Sequence, residues 1–192
     1  TKVVHCPMAN AYLGYGISPV SRLLSRGVPV ALGTDGAASY TYDMLEIGRA
    51  AAILQKASRL DAEAVTAEQI MEMLTINGAR VLGLEDQIGS LEVGKMADVI
   101  LLDFYQAHLL PGGRWLPKLI YSASGADVTH TIVQGKLLME ERKVLSIDEE
   151  STLKHCVEMR ANLVGAAGPE TKALLEAAWP EGGEPYWRAA AR

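Results

Sequence analysis

The sequence predicts an α/β fold, because a strand, a helix and a second strand form one βαβ unit of a parallel sheet or barrel. The first strand is the short β-branched run KVVHCP at residues 2–7, which a proline closes. The second strand, VPVALG at 28–33, is apolar on both faces, which is typical of a strand buried in a parallel sheet. Between the strands, SPVSRLLSRG at 18–27 predicts a helix with a proline in its first turn and a glycine at its end. The glycine-dotted segment 10–18 is predicted to be a loop.

Two further helices are predicted after this unit. Asp43 is a candidate N-cap for a helix that runs to about Ser58. Thr66 and Gln69 have the spacing of a capping box and predict a second helix, which Gly83 can close.

The pattern becomes strand-like from about residue 86. Residues 88–104 indicate two strands separated by a turn, and residues 126–146 indicate a hairpin around the turn QGK. A polar helix is predicted from Asp148 to about residue 164, followed by a tail that contains aromatic residues. The predicted division is a segment of βα units at 1–85, a strand-rich segment at 86–146, and a C-terminal helix and tail at 147–192.

Composition excludes several classes of protein. The 192 residues are 49% hydrophobic and 21% charged, which is ordinary for a soluble globular protein. The net charge of -5 includes no basic stripe, so no nucleic-acid partner is expected. No apolar run approaches the ~20 residues that span a bilayer, so no membrane partner is expected either. Cys6 and Cys156 lie far apart, which favours a reducing, cytoplasmic location.

The first residue, Thr1, is not an initiator methionine, and a strand-like run begins within two residues of it. This start predicts a fragment, a processed chain or an incomplete reading frame.

Asp35 is the leading candidate for chemistry. Functional groups in parallel α/β folds gather at the C-terminal ends of strands, where Asp35 and His5 are both expected. An acid at that edge can ligate a metal or take a proton from water that the metal activates. Gly33 and Gly36, on either side of the pair formed by Thr34 and Asp35, leave room for a ligand. The alternative is that Asp35 merely caps the next turn.

Five segments resemble the amidohydrolase superfamily, in its cytosine-deaminase-like and chlorohydrolase branch. This branch includes deaminases of methylthioadenosine and S-adenosylhomocysteine as well as triazine hydrolases. In order, the segments are HCPMAN (5–10), GISP (16–19), GTDGAAS (33–39), NGARVLG (77–83) and GSLEVGKMAD (89–98).

This resemblance implies the C-terminal part of a (β/α)₈ TIM-like barrel, with its last two βα units at 1–85, and the C-terminal share of a small β-sandwich at 86–146. It implies that Asp35 ligates one divalent metal, zinc or alternatively iron, and moves a proton between the attacking water and the leaving group. Ser39 matches a serine that reaches the substrate.

The resemblance gives His5 a supporting role. The family's histidine ligands come from strands that would lie upstream of Thr1, so the remaining metal ligands are expected outside this chain. His5 and Asn10 are expected to orient the loop after the first strand, and Thr34 and Gly36 to support Asp35. Cys6 stands where the family more often has asparagine.

The expected activity is hydrolytic deamination of a purine- or triazine-like heterocycle by a metal-activated water. The alternatives are chlorohydrolase or other amidohydrolase chemistry, and a non-catalytic barrel fragment that acts as an assembly module. The expected partners are a small heterocyclic substrate, the missing N-terminal part of the barrel and further copies of the chain. The chain alone is expected neither to close a barrel nor to hold metal tightly.

Overall fold

The computed structural model describes residues 1–36 and 40–177, and of the last four of these, 174–177, the backbone alone. The chain forms two compact units, Thr1–Leu145 and Ser146–Arg192. The first unit contains both the helical segment and the sheet segment, and the boundary near residue 86 stays a prediction.

The first unit begins with β1 (Val3–His5), α1 (Pro7–Tyr12), α2 (Val20–Leu24), β2 (Val30–Leu32), α3 (Met44–Arg59), α4 (Ala67–Leu74) and α5 (Ile76–Leu82). It continues with β3 (Val99–Leu102), α6 (Trp115–Tyr121), a 3₁₀ turn (Gly125–Asp127), β4 (Val128–Val133), β5 (Lys136–Glu140) and β6 (Lys143–Val144).

Strands β1 and β2 pair in parallel, which confirms the predicted βαβ unit. The loop predicted at 10–18 is wrong at its start, because α1 extends to Tyr12. Pro7 favours the first turn of this helix, and Gly14 and Gly16, both at positive φ, follow its end. The glycines therefore mark where the helix stops rather than a loop throughout.

The helices cover one face of the two-stranded sheet. The buried core contains Val30 and Leu32 from β2, Ile47 and Ala51 from α3, and Ile70 from α4. Burial of such aliphatic side chains is the main favourable contribution to folding.

The cap positions of α3 and α4 confirm the predictions. The Asp43 carboxylate accepts from the N–H groups of Leu45 and Glu46, and Thr66 forms a complete capping box with Gln69. The single helix predicted up to Gly83 is wrong. It is divided at Thr75, whose backbone leaves the helical region at φ -128 and ψ -97.

The second sheet is antiparallel, with the order β3-β4-β5-β6. Gln134 and Gly135 both have positive φ, so the predicted hairpin turn is confirmed. The first strand predicted within 88–104 is wrong. That stretch is a turn, in which the Lys95 ammonium donates to the Glu85 carbonyl at 2.5 Å and to the Ser90 hydroxyl at 2.7 Å.

The second unit contains α7 (Glu149–Ala166) and α8 (Pro169–Ala177). Asp148 caps α7 by accepting from Ser151 N–H at 3.0 Å, which confirms the predicted helix start. Of the helices in 1–36 and 40–177, none has the length and apolarity to cross a membrane.

Candidate active site at the ends of two parallel strands

The carboxyl ends of β1 and β2 lie side by side. The register pairs Val3 with Val30 and His5 with Leu32. The ladder continues by one bond, from Gly33 N–H to the His5 carbonyl at 3.0 Å. The segments that follow the two strands therefore leave the sheet at the same end, as expected for parallel strands.

Gly33 is a glycine because the two strand ends approach closely. A Cβ built on it would lie 2.9 Å from Val4 Cγ1 and 3.4 Å from Cys6 Sγ. The first distance is shorter than a van der Waals contact, so any side chain at this position would require the Val4 side chain or β1 to shift. The glycine thus sets the spacing between β1 and the loop that carries Asp35.

Asp35 is exposed on this edge in a left-handed backbone conformation, at φ 66. Aspartate is one of the few residues that tolerate this region. Its Oδ1 accepts from Gly36 N–H at 2.8 Å, and the Thr34 hydroxyl donates to its carbonyl at 3.2 Å. Among the described residues, none donates to Oδ2. One carboxylate oxygen is therefore held by the loop while the other can accept an external ligand or proton.

Cys6 meets Asp35 across the two strand ends. The half-buried Cys6 thiol has a raised pKa, first because of burial and second because of the nearby Asp35 charge. The thiol is thus kept neutral, the form in which cysteine binds metal poorly. The sequence pattern assigned Cys6 no place in the site and indicated it only as a departure from the family motif and as one of two distant cysteines. Its position directly after β1 was the signal that could have placed it beside Asp35.

His5 lies away from Asp35's exposed loop, in the interior of the first unit. It shares one face of β1 with Val3, which packs against the core, whereas Val4 on the other face is 54% exposed. The His5 ring is 3% exposed, and both ring nitrogens lack a hydrogen-bond partner within the described parts of the chain. Burial lowers the His5 pKa, so the ring is neutral.

The structure says less about two other candidate residues, Asn10 and Ser39. Asn10 is half-buried in α1, where its N–H donates to the Cys6 carbonyl at 3.1 Å, and its side chain makes no hydrogen bond to His5. Ser39 lies outside the described residues.

The described residues alone do not form a metal centre. They contain no group of three or more histidine, cysteine, aspartate or glutamate side chains that could hold an ion. A catalytic zinc takes about three protein ligands. To such a site this chain could contribute one ligand, the Asp35 carboxylate.

An apolar cavity of about 350 Å³ lies between α1 and α3. Met8 and Ala11 line it from α1, Tyr40 lines it from the loop that follows β2, and α3 contributes the apolar Ala50, Ile53 and Leu54 and the charged Glu46 and Arg49. The Tyr40 ring also lies 6.4 Å from the Tyr12 ring. Sequence reasoning did not anticipate this cavity, because its walls come from distant segments.

One family model and several known proteins match most of this chain. The family model described as the amidohydrolase family matches residues 1–138. A 5-methylthioadenosine/S-adenosylhomocysteine deaminase of Desulforudis audaxviator is 47% identical over 163 residues, which are 84% of this chain and 38% of that protein. A 5'-deoxyadenosine deaminase of Methanobrevibacter smithii is 44% identical over 80% of this chain and 36% of that protein. The chain thus spans a little over a third of the length of these relatives.

Solved structures show the same similarity. An adenosine deaminase from Xanthomonas campestris with bound zinc matches 84% of this chain and 37% of its own, at a TM-score of 0.82 and 38% identity. An atrazine chlorohydrolase from Arthrobacter aurescens TC1, complexed with zinc, matches 81% of this chain and 35% of its own, at a TM-score of 0.73. At 24% identity, the second similarity is one of fold alone.

Proposed function

The chain belongs to the amidohydrolase family, and we propose that it is the C-terminal part of a metal-dependent deaminase that acts on a purine-like heterocycle. The observation that carries this proposal is the Asp35 carboxylate, which stands at the shared end of two parallel strands and whose Oδ2 accepts no hydrogen bond from a described residue. The 5-methylthioadenosine/S-adenosylhomocysteine and 5'-deoxyadenosine deaminases among the relatives support adenosine derivatives as the substrate class.

The proposed reaction replaces an exocyclic amine by oxygen. Water adds to the ring carbon that bears the amine, the carbon–nitrogen bond breaks, and the amine leaves as ammonia with a proton from the water. A divalent metal, zinc as in the Xanthomonas campestris enzyme, would lower the pKa of that water.

Asp35 would have two tasks in this reaction. Its Oδ2 would provide one ligand for the metal, and would accept the proton of the attacking water and pass it to the departing amine. The hydrogen bonds from Gly36 to Oδ1 and from Thr34 to the backbone would hold the carboxylate in one orientation. We assign Ser39 to the substrate, and His5 and Asn10 to support of the loop after β1.

The rest of the barrel would come from a segment outside this chain. In the described residues β1 and β2 pair with each other alone, so each has an open edge. The exposed Val4 faces the side opposite the helices, where the interior of a barrel would lie. A barrel must close on itself to bury such a face. The coverage of 38% of the Desulforudis audaxviator enzyme agrees with this assignment.

A chimera tests the proposal. The 192-residue chain would be joined to the part of the Desulforudis audaxviator deaminase that precedes its matched region, and ammonia release from 5'-deoxyadenosine would be measured with zinc. We expect activity in the chimera, none in the chain alone, and loss of activity in Asp35→Asn. The exposed Asp86 provides the matched control Asp86→Asn, which should stay active. Full activity of Asp35→Asn would refute the assignment.

A further inference from the structure

Asp43 makes more hydrogen bonds than the capping of a helix needs. Capping of α3 uses only its Oδ1, which accepts from the N–H groups of Leu45 at 2.9 Å and Glu46 at 3.4 Å. A serine caps a helix about as well with its single hydroxyl oxygen. The second carboxylate oxygen, Oδ2, accepts from Gly125 N–H at 2.7 Å, across 82 residues of sequence. This oxygen therefore joins the start of α3 to a distant part of the chain.

Gly125 is matched to the Asp43 carboxylate. A Cβ on Gly125 would lie 3.2 Å from Asp43 Oδ2 and 3.3 Å from its Cγ, and both distances are tighter than an ordinary van der Waals contact. The backbone of Gly125 is not in the left-handed region, so its conformation alone does not require glycine. The missing side chain thus allows the close approach of the carboxylate.

A second hydrogen bond holds the same two segments together. The Arg49 guanidinium, in the second turn of α3, donates to the Ala123 carbonyl. Asp43 accepts from a backbone N–H of segment 123–125, and Arg49 donates to a backbone carbonyl of the same segment. The first two turns of α3 therefore hold this segment through bonds of both directions.

Segment 123–125 is in turn attached to the second sheet. The Asp127 carboxylate accepts from Ser124 N–H at 2.8 Å and is hydrogen-bonded to His108 Nε2 at 3.0 Å. The Asp127 carbonyl accepts from Asp103 N–H at 2.9 Å, directly after β3, and β4 begins at the residue that follows Asp127. The contacts of Asp43 and Arg49 thus link α3 to the end of β3 and the start of β4.

Asp43 is also the last residue of the loop that carries Asp35. This loop starts at Gly33, whose N–H donates to the His5 carbonyl at 3.0 Å. Near its other end, Asp43 N–H donates to the Thr41 hydroxyl oxygen at 3.0 Å. A loop that is fixed at both ends has fewer conformations available than a loop with one end free.

We propose that Asp43 is a positioning residue for the reaction at Asp35, because its bond to Gly125 lets the second sheet fix the far end of the loop from Gly33 to Asp43. This inference rests on the proposed function, since it requires Asp35 to take part in the reaction. A displacement of about 1 Å, even one caused far from the reacting atoms, can lower a rate by about 100-fold.

Amide exchange in the 192-residue chain tests the contact itself. In Asp43→Ser the hydroxyl can still cap α3, but the shorter side chain does not reach Gly125 N–H. An amide proton exchanges only when its hydrogen bond opens, so the Gly125 proton should exchange faster in this variant, as NMR would show. An unchanged exchange rate at Gly125 would overturn the proposal.

Catalysis is tested in the chimera with the upstream part of the Desulforudis audaxviator deaminase. In Asp43→Ser we expect the kcat for 5'-deoxyadenosine, measured per bound zinc, to fall by about tenfold while the zinc content stays unchanged. A contact with a structural role alone would instead lower the folded fraction and the zinc content together. A kcat per bound zinc equal to that of the unmodified chimera would therefore overturn the proposal.

Asp148→Ser is the matched control, because it makes the same change at the N-cap of α7. The Asp148 carboxylate accepts from Ser151 N–H at 3.0 Å and from no other described residue. This variant should keep both the exchange rate of Gly125 and the kcat per bound zinc. If the two serine variants lost the same activity, the bond from Gly125 to Asp43 would not be the cause.

Gly125→Ala tests the same bond from the other side. The added methyl group crowds the Asp43 carboxylate and should also lower the kcat per bound zinc. In the Asp43→Ser background the methyl group has room, so it should have little further effect. Effects that multiply in the double variant would show that the two residues act independently, and would contradict the proposal.

The outcomes separate this inference from the proposed function. An unmodified chimera that releases no ammonia would refute the proposed function and the role of Asp43 with it. An active chimera in which Asp43→Ser keeps its kcat per bound zinc would refute the role of Asp43 alone.

Discussion

Gly33 donates its backbone N–H to the His5 carbonyl at 3.0 Å, and this bond joins the end of β1 to the start of the loop that carries Asp35. The buried imidazole and the exposed carboxylate thus belong to segments that this backbone bond connects. The geometry of Asp35 depends on this junction.

Gly33→Ala tests the junction. The added methyl group would lie 2.9 Å from Val4 Cγ1, so the Val4 side chain or β1 must shift, and we expect the free energy of unfolding to fall by about 1–3 kcal/mol. Gly78→Ala is the control, because Gly78 lies in α5 with open space around its Cβ position. It should be neutral or stabilising by about 0.5–1 kcal/mol. Urea unfolding measures both values, and equal stability of the two variants would contradict this account.

His5 should make folding sensitive to mildly acidic pH. Burial lowers the pKa of the folded ring, so the unfolded state binds a proton first as the pH falls. The contribution of His5 to the free energy of unfolding should be fully present above the unfolded pKa of about 6.5. It should decline as the pH falls from there towards the folded pKa. His5→Leu should flatten this decline in urea unfolding between pH 7 and pH 5. His155→Gln changes an exposed histidine of α7 and should retain the decline. If the free energy of unfolding fell equally with pH in the wild type and in His5→Leu, His5 would not be its cause.

Protonation of Asp127 should cause a second decrease in the free energy of unfolding, at lower pH. Burial acts to raise the pKa of this carboxyl, but hydrogen bonds from His108 at 3.0 Å and from Ser124 N–H at 2.8 Å outweigh it, and the pKa is lowered. Its contribution is therefore present above the unfolded pKa of about 3.9 and is lost as the pH falls through the folded pKa.

Asp127→Asn should lower stability at pH 7 and flatten the pH dependence below about pH 4. Asp61→Asn, at an exposed loop position, is the control and should follow the wild type. Thermal unfolding across this pH range compares the three proteins. If the stability of Asp127→Asn fell below pH 4 as steeply as that of the wild type, the loss of stability would belong to other groups.

Local chemistry made much of the fold predictable. The caps at Asp43, Thr66 and Asp148 need only a few neighbouring residues, and the turn at Gln134–Gly135 needs only two. The apolar run at 28–33 likewise indicated a buried parallel strand without reference to the rest of the chain.

Contacts between distant segments could not be predicted in the same way. The break at Thr75 falls within a continuous helical pattern, and packing of Gly89 against Ile76 and Ala79 accompanies it. The electrostatic effect of Asp35 on the Cys6 thiol depends on strand register, which a single sequence leaves open. The bond from His108 to Asp127 joins the loop after β3 to the 3₁₀ turn before β4, and no local pattern encodes their approach.

Zinc binding tests the central claim most directly, because it asks whether Asp35 supplies one metal ligand and other parts of the protein supply the rest. Equilibrium dialysis against zinc would compare the 192-residue chain, the chimera with the upstream part of the relative, and the chimera with Asp35→Asn. We predict one tightly bound zinc per chimera, none in the chain alone, and affinity at least about tenfold weaker with Asp35→Asn. Stoichiometric zinc in the chain alone, or unchanged affinity in Asp35→Asn, would contradict the account.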